Sequence, residues 1–222
     1  MDKIRGGEWK VGDEIPSEQE LCSTYEVSRG TLRRAVDALV RQGLLNRIQG
    51  KSTFVAKPKI PIFSNGFRAD IRNSGQSANS TILYYEKRDC SNEIAELLQL
   101  PDETMVCELC RVIEAECEPI ILEHIYIPCT HGEKLMVNDL IHTSLLDLIP
   151  QACGVILKKA IESYEPTLLS KQEASRLNAK VGDVAIVDQA ITFDINDKPV
   201  FLSNALIRGD RARVATEITF TI

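Results

Sequence analysis

Long apolar runs are missing from this 222-residue chain. None approaches the roughly 18 residues that a membrane-spanning helix needs, so no transmembrane segment is expected. The opening stretch, MDKIRGGEWKVGDEIP, has no apolar h-region, which argues against a secretory signal. Histidine is scarce. His124, His131 and His142 match no metal-ligand or triad spacing, and no Gly-rich phosphate loop or nucleophile with a local base accompanies them. No metal, no cofactor and no catalytic residue is therefore expected. Cysteine is present but unpatterned: Cys22, Cys90, Cys107, Cys110, Cys117, Cys129 and Cys153 are odd in number and irregularly spaced, as reduced thiols of a cytoplasmic protein are. Cys107 and Cys110 form a C-x-x-C, but in a strand residues three apart point to opposite faces, and no second ligand pair exists. They are expected to be structural.

What is present is the composition of a globular chain, 44% hydrophobic and 26% charged, long enough for one large domain or two modest ones. The net charge of −6 hides an asymmetry. Residues 1–60 hold eleven basic against eight acidic residues, and the rest fifteen against twenty-four. Within 28–60 there are eight basic residues and a single acid, Asp37. A basic segment on an acidic protein is an electrostatic footprint for phosphate, although a solvated helix face has the same composition.

That basic segment is ordered by helix signals. Ser17 with Glu20 three residues later makes a capping box after Pro16, and Leu21, Cys22 and Tyr25 supply an inward face. After a turn at Glu26-Val27, Ser28 caps a second helix to about Gln42, where Leu32, Ala35, Val36, Leu39 and Val40 form one stripe and Gly43 ends it. Two apolar segments around Gln49-Gly50-Lys51-Ser52 then read as a β-hairpin. The spacing is that of a helix-turn-helix followed by a wing.

Lys57-Pro58-Lys59-Ile60-Pro61 reads as a stiff linker, giving expected boundaries at 1–56, 57–65 and 66–222. The second half alternates short helices (92–100, 144–149, 170–177) with strands: 81–88, a hairpin of 104–115 and 119–127, then 155–165, a hairpin of 184–193 and 199–207, and a last strand at 214–221. The expected class is α+β with a mostly antiparallel sheet.

The stretch IPSEQELCSTYEVSRGTLRRAVDALVRQGLLNRIQGKSTFVA resembles the winged helix of the GntR superfamily throughout. Leu109–Pro128, Ser144–Leu148 and Phe193–Arg211 resemble the UTRA-type sensing domain of its HutC-type branch, whose fold is similar to chorismate lyase. The resemblance implies a ligand-responsive DNA-binding regulator, a homodimer on a palindromic operator, with a small-molecule effector. Two departures stand out. Only Met1–Gly6 precedes the G-x-W-x-x-G-D segment where the family has a complete helix, so the domain is either shortened or started late, and Leu21, Val36 and Leu39 would lack a packing partner. In addition, Ile113, Leu146 and Ile207 stand where sugar-phosphate-sensing relatives carry an arginine and two tyrosines, implying a less polar pocket.

Candidate residues follow. Arg29, Thr31, Arg33 and Arg34 lie off the buried stripe near the start of the second helix, the end that enters the major groove. An arginine there pairs bidentately with guanine, while Ser28 and Thr31 hold phosphates. Ser17 either holds a phosphate or only caps its helix. In the wing, Arg47, Gln49, Gly50 and Lys51 face the DNA backbone or minor groove. In the second half, Arg111 and Glu123 sit on adjacent strands and either receive a ligand or pair with one another. Ser144 offers a helix start to an anion or caps it, and Phe67 and Arg68 are candidates from their position in the family. The function expected is a repressor tuned by a small metabolite, a sugar derivative or other small anion. A cysteine-based redox-sensing regulator and, more remotely, a lyase-like enzyme are the alternatives.

Overall fold

The computed structural model describes residues 1–41, 43–47, 52–63, 66–101 and 103–218. It divides into two compact units, Met1–Lys59 and Ile60–Ile222. Among the described residues no helix is long and apolar enough to cross a membrane.

The first unit contains α1 (Asp2–Arg5), α2 (Glu18–Tyr25), α3 (Arg29–Arg41), β1 (Leu45–Arg47) and β2 (Thr53–Val55). The capping box forms: Ser17 Oγ accepts from the Glu20 amide, and the Glu20 carboxylate accepts from the Ser17 amide at 2.8 Å. Glu26 takes the left-handed conformation (φ 52°) that ends α2, and Gly43 (φ +69°) follows α3 in the conformation a glycine adopts without strain. β1 and β2 pair antiparallel, and residues 12–15 run along β2 through hydrogen bonds of Gly12, Ile15 and Val55. The core joins Ile15, Leu21, Leu32, Val36, Leu45 and Val55, with Ile4, Trp9 and Leu39 packed against it.

Two expectations change here. Leu21 and Val36 do not lack packing partners; each is only 5% exposed. Nevertheless a cavity of about 260 Å³ opens beside them, lined also by Trp9, Tyr25 and Leu39. Tyr25, expected to point inward, is half exposed.

The second unit contains β3 (Ile60–Ile62), α4 (Phe67–Asn73), β4 (Ala78–Asp89), α5 (Asn92–Leu97), β5 (Met105–Ala115), β6 (Glu118–Pro128), α6 (Cys129–Gly132), α7 (Val137–His142), α8 (Leu145–Cys153), β7 (Leu157–Leu168), α9 (Lys171–Arg176), β8 (Val184–Asp194), β9 (Pro199–Arg208) and β10 (Ala212–Val214). Six long strands form one antiparallel sheet in the order β4-β5-β6-β9-β8-β7. Both hairpin turns form where turn residues cluster, with Glu116 and Cys117 at φ 52° and 63° and Asp197 at φ 60°.

Two strands depart from expectation. Ile60–Ile62, within the stretch read as linker, pairs in parallel with β10. The last strand covers Ala212–Val214 rather than 214–221; residues 215–218 lie outside any strand, and 219–222 are outside the described residues. Parallel pairing of segments about 150 residues apart leaves no local signal in either of them.

One face of the sheet carries Leu109, Ile113, Ile121, Ile125 and Ile127 and is covered by β3, β10 and the helices α4, α7 and α8. The other face carries Cys110, Val112, Leu122 and Leu202, packed with residues of α5 and α9. The two C-x-x-C thiols thus fall on opposite faces, as strand geometry requires.

Candidate nucleic-acid interface and effector cavity

On α3, Leu32 and Val36 turn inward while Arg29, Thr31, Arg33 and Arg34 are exposed. The exposed set occupies the N-terminal half of a 13-residue helix, about 20 Å long at the usual rise. Arg29 and Arg34 make no ion pair among the described residues. Arg33 Nε donates to Glu18 at 2.9 Å, and Arg47 pairs with Asp37 at 3.0 Å, both at the surface. Ser28 Oγ accepts from the Thr31 amide and lies 3.0 Å from its hydroxyl. Ser17 is likewise engaged in its capping box, so both serines cap their helices. Gln49, Gly50 and Lys51 lie outside the described residues.

The sheet face beneath α4 and α8 forms a cavity of about 150 Å³. All five residues singled out in the second half line it: Phe67 and Arg68 from α4, Arg111 from β5, Glu123 from β6 and Ser144 at the start of α8. The depth comes from small side chains: Ala160 and Ala190 line it where larger residues would fill the space.

The polar groups of this cavity are largely committed to one another. Arg111 and Glu123 are cross-strand partners, with Nε donating to Oε2 at 2.6 Å. Glu123 Oε1 also accepts from Ser203 Oγ at 2.9 Å, and Arg111 Nη1 donates to the Leu140 carbonyl. Arg68 donates through both terminal nitrogens to the Ile141 and His142 carbonyls at the end of α7, where the helix dipole favours a cation. Its buried Nε has no hydrogen-bond partner among the described residues. Ser144 Oγ accepts from the Leu146 amide as the α8 cap.

Ile113 and Leu146 line the cavity, but Ile207 does not; it is fully buried in the apolar cluster with Ile113 and Ile121. The cavity also takes acidic and hydroxyl side chains. Asp147, Glu162, Asp188, Thr192 and Ser203 line it, none of them anticipated. Asp188 is 3% exposed and its Oδ1 has no hydrogen-bond partner among the described residues. Burial, reinforced by the charges of Glu162 and Glu123, pushes its carboxyl up to about 7. The sequence signal was there: a single acid inside the apolar strand VAIVDQAITF.

Two neighbouring features are structural. Arg208 is buried and reaches Asp210, Glu118 and the carbonyls of Pro119 and Leu177, while Arg211 pairs with Glu118 at 2.6 Å. These contacts tie the end of β9 to the β5–β6 turn, and a Cβ at Gly209 would stand 2.8 Å from the Val184 carbonyl. Cys107 and Cys129 lie 3.5 Å apart, but burial first, and then Cys107, push the Cys129 thiol up to about 11. That is the reverse of an activated thiolate and gives the redox alternative no support.

Comparison with known proteins agrees with this arrangement. Residues 1–55 match the family model described as bacterial regulatory proteins, gntR family, and residues 73–213 match the UTRA domain. The "probable fructoselysine utilization operon transcriptional repressor" of Shigella flexneri is 31% identical over 228 residues, spanning all of this chain and 90% of that protein. The HTH-type transcriptional regulator YurK of Bacillus subtilis is 30% identical, again across all of this chain and 90% of its own length. The crystal structure of PhnF from Mycobacterium smegmatis, 23% identical, superposes with a TM-score of 0.69 over 96% of this chain and 94% of that one. The chain belongs to the GntR family of bacterial regulatory proteins, in the HutC-type branch that carries a UTRA domain, and is a DNA-binding transcriptional regulator rather than an enzyme.

Proposed function

We propose that this regulator is a cytoplasmic repressor whose first unit binds operator DNA and whose second unit senses a small metabolite in the cavity under α4 and α8. The observation that carries the sensing role is the convergence of Phe67, Arg68, Arg111, Glu123 and Ser144, from four separate segments, on one cavity. In the DNA-binding role, Arg29 and Arg34 read base edges, with Arg33 beside them. Ser28, Thr31 and Arg47 hold the backbone, along with Ser17 at the α2 start and Gln49, Gly50 and Lys51 in the wing. The unit boundaries support residues 1–59 as the DNA-binding part and 60–222 as the effector-binding and dimerisation part.

A homodimer on a palindromic operator fits the edge of the sheet. β7 is a 12-residue terminal strand with Ile161 and Leu168 more than half exposed, a surface on which strands add. The start of α8, where Ser144, Leu145 and Leu146 border the cavity, suits an anionic group of the ligand. The relatives' names point to sugar-derived metabolites as the class of effector.

The test is operator affinity measured with and without a molecule shown to occupy the cavity. A change of about 5–150-fold is expected, the range of ordinary allosteric coupling. Unchanged affinity with the cavity filled contradicts the sensing role.

A further inference from the structure

The polar groups around the cavity are not evenly matched. Arg111 is consumed by Glu123, and Arg68 by the carbonyls that end α7. On the opposite side, Asp188 and Glu162 come from the adjacent strands β8 and β7. The register sets Asp188 against Tyr164 and Glu162 against Ala190, which makes the two acids diagonal neighbours on one face. Such neighbours stand about 7–8 Å apart at their β-carbons, a span that one cationic group bridges. Among the described residues Glu162 accepts one hydrogen bond, from the Tyr164 hydroxyl, and Asp188 Oδ1 accepts none although Asp188 is 97% enclosed. No lysine or arginine among the described residues pairs with either. A buried carboxylate without a donor is costly, and a ligand that supplies the donor offsets that cost.

We propose that the effector carries a protonated amine, which sits between Asp188 and Glu162. The carboxylates accept its N–H bonds, Thr192 and Ser203 border the same floor, and the remainder of the ligand extends toward Phe67 and Ser144. This inference rests on the cavity being the effector site. It narrows the class from small sugar derivatives and anions in general to amine-bearing compounds. Ala190, directly opposite Glu162 and two residues along β8 from Asp188, keeps the space for the ammonium group open.

The test is calorimetric titration of the full chain with matched pairs that differ in one group: glucosamine 6-phosphate against glucose 6-phosphate, and lysine against norleucine. In at least one pair the amine-bearing member is expected to bind about tenfold tighter or more, as a charge-assisted hydrogen bond allows. Asp188→Asn, which keeps the shape and removes the charge, is expected to collapse that ratio toward one. Glu162→Gln lowers it partially and serves as the second variant. Equal or tighter binding of the amine-free members overturns the inference, as does a ratio that survives Asp188→Asn. Failure of the underlying reading looks different: none of the four probes binds, and the inference falls with it.

Discussion

Arg111 and Glu123 stand directly opposite one another on β5 and β6, joined at 2.6 Å with each side chain only 6% exposed. The pair closes the floor of the cavity, so what it does to stability and what it does to ligand are separable. Glu123→Ala leaves a buried guanidinium with only the Leu140 carbonyl, and removing one partner of a buried pair costs about 3–5 kcal/mol. Denaturant unfolding measures this. A loss below about 1 kcal/mol would mean that water reaches the pair and that the floor is not closed.

Asp188 makes a pH-dependent prediction. Its carboxyl is raised from an ordinary value of 3.8 to about 7, chiefly by burial. Its charge therefore opposes folding from about pH 4 upward, and fully so above pH 7. Asp188→Asn removes that penalty. The variant is expected to exceed the wild type in stability by on the order of 2–4 kcal/mol at pH 8, with the gain shrinking as pH falls and gone near pH 4. A gain of the same size at pH 4 and pH 8 would show that the effect is not ionisation.

The two kinds of polar residue in the first unit separate by measurement. Arg29→Ala and Arg34→Ala leave the fold intact, because both side chains are exposed. Loss of a base-reading arginine is expected to weaken operator binding by about 1–3 kcal/mol, with a smaller effect on random duplex. Ser17→Ala instead removes the hydroxyl of the α2 capping box, at a cost of about 0.5–2 kcal/mol in thermal or denaturant stability. Equal losses on operator and random DNA for both arginine variants would assign them to phosphate contacts alone.

How much of this was legible in the sequence depends on the range of the interactions involved. The caps at Ser17 and Ser144 and the turns at Glu116-Cys117 and Asp197 are local, and each appears where its residues stand. The stripe Leu32 and Val36 also follows from helical period alone. What escaped has non-local causes. α4, α6 and α7 are four to seven residues long, and no side chain caps any of them, so no start signal marks them. β3 exists only because β10 lies beside it, and Pro61 tolerates an edge position there.

The cavity was half legible for the same reason. Arg111 and Glu123 are neighbours across a hairpin and can be paired from turn position. Asp188 and Glu162 become cavity residues only through a sheet order in which β9 separates β6 from β8. Arg111 is paired with Glu123 while both line the cavity, and Asp188 Oδ1 has no hydrogen-bond partner among the described residues.

The central claim is that α3 presents a base-reading face to a specific two-fold-symmetric DNA site. It is tested most directly by selecting fragments of the source genome bound by the full chain at physiological salt. The account predicts enrichment of a palindromic sequence with half-sites about one helical turn apart, and its loss with Arg29→Ala and Arg34→Ala combined. Enrichment of no sequence above background, or a site indifferent to those two arginines, contradicts it.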